Sequence, residues 1–171
     1  MSSSPSPSTI KAVQVASLFT IAASSGAKLG LSIFAVPRLL ESPGPLMLQQ
    51  WDRMFVSGRA ILPAADVLSA LGFSYLAYSR VFGERTAKMY ALAAALSVGI
   101  VPYTFLVMSR TNNKLRRRAE LTKSMSITDE SLESAEVREG DKFLVDHWGV
   151  LNLGRTAMLA AAGLIGLYAS L

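Results

Sequence analysis

The chain has 171 residues, 51% of them apolar, and a net charge of +5. It has no cysteine, which excludes disulfides, thiolate metal sites, iron–sulfur clusters and cysteine nucleophiles, and its single histidine, His147, excludes an all-histidine metal site within one chain. The cations gather at the ends of apolar blocks, the pattern of membrane orientation rather than of nucleic-acid binding, so no nucleic-acid partner is expected.

The start, Met1 to Thr9, is rich in Ser and Pro, and residues 1–11 are read as a disordered tail. A first span runs from about Ala12 to Val36 and is expected to stop at Pro37-Arg38. Ala22–Ser25 offers small residues suited to signal-peptide cleavage, but the apolar run continues past them and only Lys11 precedes it, so the segment reads as a retained span. Ser42-Pro43-Gly44-Pro45 is a loop signal. Leu46 to Gly58 is amphipathic, with Met47, Trp51, Met54 and Phe55 at helical spacing, and either lies in the interface or leads into the second span.

The second span covers about Ala60 to Tyr78, with Gly83 marking the turn after it. The third covers about Ala87 to Met108, with Pro102 expected to kink it and free a carbonyl. Arg110 to Asp146 is polar. It opens with Arg116-Arg117-Arg118, turns acidic from Asp129 to Asp141, and holds a capping-box pattern at Ser126 to Asp129 before an amphipathic stretch with Leu132 and Val137. The fourth span covers about Val150 to Leu171. Each span approaches the roughly 20 residues that cross about 30 Å of hydrocarbon. The expected fold is an all-α four-helix transmembrane bundle, residues 12–171, with a charged loop or short amphipathic helix between helices 3 and 4. Gly26 and Gly30 form a GxxxG pair, and Ala95 and Gly99 a looser one, both expected at helix contacts.

Loops one and three hold most of the Lys and Arg, including Arg38, Arg53, Arg59, Arg110 and Arg116 to Arg118. The positive-inside bias therefore assigns both loops to the cytosol. With alternating helix directions, the three intramembrane charges Lys28, Asp66 and Arg155 fall at similar depth in the cytosolic half. A charge in hydrocarbon costs roughly 2.5–3.5 kcal/mol on insertion scales, which makes this layer the candidate site. Tyr103, Thr104 and Asn152 share it. Trp51, Asn112, Asn113, His147 and Trp148 sit at its rim.

Pro102-Tyr103-Thr104 through Thr111-Asn112-Asn113-Lys114-Leu115 resembles the "P-[FY]-T…TN..L" signature of the DUF1772, or anthrone oxygenase-like, family. Trp148-Gly149-Val150-Leu151-Asn152-Leu153-Gly154-Arg155 is similar to its C-terminal "W…N..R" pattern. Gly26-Ala27 to Val36-Pro37 resembles its first-helix segment, and Trp51 with Gly58 and Pro63 its second. The chain departs from the pattern at Arg110, where relatives often carry proline. The resemblance implies a small four-helix protein of the endoplasmic reticulum or another internal membrane. It also implies oxidation of an anthrone-type aromatic polyketide to an anthraquinone with molecular oxygen and no classical cofactor.

That chemistry needs an apolar slot reached by oxygen, a general base, and positive charge at the developing oxyanion. Asp66 or His147 is the candidate base, and Lys28 and Arg155 are the candidate enolate stabilisers. Tyr103, Thr104, Asn112 and Asn152 are hydrogen-bonding candidates for substrate, with Trp51 and Trp148 as stacking surfaces. Each has a plainer role open to it: ion pairing or snorkelling for the charges, interfacial anchoring for the tryptophans, helix-end capping for the asparagines. Carboxylates plus one histidine leave a bound metal open. Two other functions compete, a non-catalytic scaffold or lipophilic-ligand bundle and a small transporter, and the absence of a sequence repeat weighs against the latter. A homo-oligomer or pathway enzymes complete the range of partners.

Overall fold

The computed structural model describes residues 5–79, 81–123 and 135–171. Four long helices make up almost all of it: α1 (Pro7–Leu40), α2 (Gly44–Tyr78), α3 (Glu84–Leu121) and α4 (Ala135–Ser170). Each is long and apolar enough to cross a membrane. They pack as a ring in chain order, α1 against α2 and α4, α3 against α2 and α4, as an up-and-down bundle with short connections requires.

The helices run further than the apolar spans foretell. At 1.5 Å per residue, 34 to 38 residues extend about 50–57 Å, well beyond the roughly 30 Å of hydrocarbon. The bundle therefore projects from the bilayer as a helical head. Two apolar cores follow. One, around Ile21, Phe73, Tyr90 and Leu159, lies toward the chain termini. The other, around Trp51, Met108, Leu115, Val145 and Trp148, fills the head.

Several expectations change. The tail is helical from Pro7, because the Ser6 side chain accepts the Thr9 N–H at 3.2 Å and Pro7 suits the first turn. The first helix does not stop at Pro37. A π-helical turn over Leu31–Ala35, in which the Val36 N–H reaches the Leu31 carbonyl, takes up the register so that the helix continues to Leu40. Gly44 and Pro45 open α2 rather than lying in the loop, and Leu46 to Gly58 runs directly into the second span. A second π-helical turn, Thr104–Met108, follows Pro102.

The polar stretch is not a loop up to Leu121 or after Ala135. Its ends extend α3 and α4, which bury Leu115, Ala119 and Val145 between them. Arg118 donates two bonds of 2.7–2.8 Å to the Asp141 carboxylate across that seam. The capping-box pattern at Ser126 to Asp129 and Leu132 lie outside the described residues. The GxxxG pair makes no interhelical contact: a Cβ on Gly26 would meet nothing within 4 Å, and one on Gly30 only Phe34 of the same helix. Gly99 of the looser pair does face a neighbour, Met158 of α4, and other close approaches include Gly72 against Ser17, Gly154 beneath the Tyr103 ring and Gly166 against Phe73.

Candidate functional site

Between the two cores lies a polar layer contributed by α1, α2 and α4. Lys28 and Asp66, both 1% exposed, form an ion pair at 2.9 Å. The ammonium donates to both carboxylate oxygens, at 3.0 and 2.9 Å, and to Ser24 Oγ at 2.7 Å. Ser24 in turn donates to Asp66 Oδ1 at 2.6 Å. Ser24 and Lys28 are one helical turn apart, so α1 presents both to the same carboxylate. The arrangement is closed: every charge in it is matched and bonded, which burial demands.

Asn152 connects this pair to the third charge. Its amide nitrogen donates to the Lys28 carbonyl at 2.7 Å and to Ser32 Oγ at 2.8 Å. Its oxygen accepts Arg155 Nε at 3.1 Å and Nη2 at 2.5 Å. Asn152 and Arg155 are three residues apart on α4 and so share a face. Arg155 is half-buried and has no carboxylate at ion-pair distance among the described residues, although Asp66 attracts it through space.

Beside this layer is a cavity of about 260 Å³, close to the lower end of the roughly 300–1,000 Å³ range of small-molecule sites. All four helices line it. Lys28, Asp66 and Arg155 supply its charged wall, with Thr104 beside them. Leu31, Met54, Phe55, Leu62, Pro63, Ile100, Val101, Phe105 and Trp148 supply the apolar remainder. Exposed Arg59 on α2 and Phe105 on α3, the latter 71% exposed, mark the mouth between those helices. Pro63 has no N–H to give the Arg59 carbonyl, so α2 also brings a freed backbone acceptor to this wall.

Five of the sequence-derived candidates therefore meet at one cavity: Lys28, Asp66, Thr104, Trp148 and Arg155. Four others stand behind it. Trp51 is fully buried, stacked on Phe55 at 5.0 Å and edge-on to Trp148 at 5.7 Å, so it backs the wall instead of forming it. Its indole N–H is a buried side-chain donor without a hydrogen-bond partner among the described residues. Asn112 accepts the Trp148 indole N–H at 2.9 Å and fixes that ring. Tyr103 donates to the Leu151 carbonyl at 2.9 Å, a brace between α3 and α4. Asn152 is the connector described above.

His147 is not in the cavity. It is exposed and stacked on Phe143 at 5.8 Å. Adjacent helical residues point about 100° apart, and it is Trp148 that turns inward. Arg59, Phe55 and Leu62 were missed by the sequence reading. The signal for them was the helical spacing Phe55, Arg59, Leu62, Asp66, which places all four on one face of α2. Among the described residues no group of three or more His, Cys, Asp or Glu is gathered as metal ligands.

The profile of the anthrone oxygenase family matches residues 51–165. The chain is 30% identical over 169 residues to monooxygenase hypC of Dothistroma septosporum, covering 95% of this chain and 86% of that protein. It is 31% identical to anthrone oxygenase AgnL2 of Paecilomyces divaricatus, over 83% of this chain and 85% of the relative. It is also 31% identical to anthrone oxygenase encC of Aspergillus fumigatus, over 82% of each. No solved structure matches the chain.

Proposed function

The chain belongs to the anthrone oxygenase family and is an oxygenase-like integral membrane enzyme, and we propose that it oxidises an anthrone-type aromatic polyketide to the anthraquinone with molecular oxygen. The observation that carries this reading is the pairing of an apolar cavity with one carboxylate and two cations on a single wall.

The anthrone methylene is flanked by two aryl rings and conjugated to a ketone, so loss of its proton gives an aromatic enolate. Asp66 takes that proton, being the only carboxylate among the described residues that line the cavity. Arg155, oriented by Asn152, faces the oxyanion as charge develops, and Lys28 balances the Asp66 carboxylate. The enolate carbon then bonds to oxygen, passing two electrons to it, and the resulting peroxide anion takes the proton back from Asp66. Loss of the second hydrogen from the same carbon, with cleavage of the O–O bond, releases water and leaves the quinone carbonyl. Trp148, Phe55 and Leu62 hold the flat ring system and exclude water from the enolate.

Oxygen is the only co-reactant in this scheme, and no cofactor or bound metal is required by its electron balance. The exposed cations Arg53, Arg110, Lys114 and Arg117 support a cytosolic position for the head, on the endoplasmic reticulum or another internal membrane.

Membranes containing the protein, given emodin anthrone, should form quinone and consume oxygen in equal amounts above the spontaneous rate, undiminished by chelators. No acceleration with several anthrones would sink the proposal, and loss of activity on chelation would overturn its cofactor-free form.

A further inference from the structure

The cavity carries more positive charge than the proposed reaction uses. Lys28 and Asp66 cancel, Arg155 is left for the enolate oxygen, and Arg59 at the mouth remains. Among the described residues Arg59 has no ion pair or hydrogen bond, although it lines the cavity beside apolar neighbours. We propose that Arg59 binds an anionic substituent, a carboxylate on an outer ring of the substrate, and so makes the enzyme selective for acidic anthrones.

The geometry favours this. Arg59 and Asp66 are seven residues apart, two turns of α2, and so lie on one face about 10 Å apart along the axis. With the central ring against Asp66, an outer-ring carboxylate extends along α2 toward Arg59 within the reach of its side chain. A guanidinium meets a carboxylate through two parallel N–H donors, a contact that fixes orientation as well as adding affinity. Leu62 and Phe105 line the same cavity, so the ring system that carries the carboxylate to Arg59 rests on apolar surface. The alternative for a cation at such a depth is to snorkel toward lipid headgroups, which would make it indifferent to the charge of the ligand.

The inference rests on the proposed function for the ring system alone, and it has a readout that needs no turnover. Binding of anthraquinone-2-carboxylate and of anthraquinone to the full chain in detergent is followed by quenching of its two tryptophans, Trp51 and Trp148. Oxidation of anthrone and its 2-carboxylate is followed in parallel. The wild type is expected to prefer the carboxylate in both by about tenfold or more. Arg59→Gln should bring the preference close to one, and Arg59→Lys should keep part of it. Because each ratio is measured on one preparation in one detergent, folded fraction and micelle partitioning cancel between variants. No preference in the wild type, no binding of either quinone, or a preference that Arg59→Gln leaves intact would overturn the inference. Absent turnover with a retained binding preference would instead overturn the oxidation chemistry and leave the ligand class standing.

Discussion

Replacing Asp66 by asparagine tests the centre of the site, and the structure says how large the effect should be. The substituted amide would keep roughly the carboxylate's shape but remove the charge that faces Lys28 at 2.9 Å, where both side chains are only 1% exposed. Breaking one side of a buried ion pair costs about 3–5 kcal/mol, a large share of the roughly 5–15 kcal/mol typical of a domain. For a chain of this size that corresponds to a fall of about 6–20 °C in Tm. Loss of the base should also slow quinone formation by about 10²–10⁴-fold. The double variant Lys28→Met, Asp66→Leu separates the two effects. With both charges gone the desolvation penalty disappears, so Tm should recover to near or above the wild type while activity stays lost. Thermal unfolding in detergent and oxygen uptake in membranes read the two quantities. A singly substituted Asp66→Asn protein with wild-type Tm would refute the ion pair, and one with the wild-type rate would refute the base.

Arg155→Met should cut the rate by about 10²–10³-fold, the usual effect of losing an oxyanion partner, and should cost about 1–3 kcal/mol in unfolding experiments, because the buried Asn152 oxygen loses its donors. Asn112→Leu leaves the Trp148 indole donor buried without an acceptor. It should cost about 1–3 kcal/mol in unfolding experiments and shift tryptophan emission, with kcat/KM reduced because Trp148 lines the cavity. Gly154→Ala would drive a Cβ into the Tyr103 hydroxyl and ring, breaking its bond to Leu151; a loss of about 1–3 kcal/mol is expected, whereas Gly26→Ala, in open space, should be neutral or stabilising by up to about 1 kcal/mol. His147→Ala, on a side chain that turns away from the cavity, should leave the quinone-forming rate unchanged, and a large loss would contradict its placement on the outer face.

The charged layer was legible in the sequence because a charge in hydrocarbon is costly and a helix has a fixed rise. Alternating directions alone bring Lys28 and Asp66 to one depth, and they are found bonded there. Rotation about each helix was less legible. The GxxxG spacing establishes that Gly26 and Gly30 share a face but not which face, and it turned out to be one that touches no neighbour. His147 and Trp148 are equally close to the site along the sequence, and only packing in the head decides which one points inward. The head itself was hidden by its charge. Met108, Leu115 and Thr122 repeat at seven residues and are buried, but the arginines between them make the stretch read as solvated loop. Arg59 was obscured in a similar way, because it falls between the amphipathic stretch ending at Gly58 and the span beginning at Ala60, where α2 is in fact continuous.

The polar layer is hard to explain by the fold alone. An ion pair buried between two apolar cores is seldom more stable than well-packed apolar residues of the same volume, so Lys28 and Asp66 give the bundle little that leucine and methionine would not. Arg155 gives it less, since it bonds to no carboxylate among the described residues and only satisfies the Asn152 oxygen. Asn152 does have a structural return in its bonds to the Lys28 carbonyl and Ser32, which tie α4 to α1. The same bonds hold its oxygen in the direction that orients Arg155, so a tertiary contact fixes a guanidinium beside the cavity before any ligand arrives. Such preorganisation is worth most where water is scarce, because the cation is already desolvated and aligned when the oxyanion forms. The ion pair then has a complementary part: it brings a carboxylate to the same wall without adding net charge to the interior. On this argument the two cores supply the stability, and the layer between them supplies the chemistry at some cost to it.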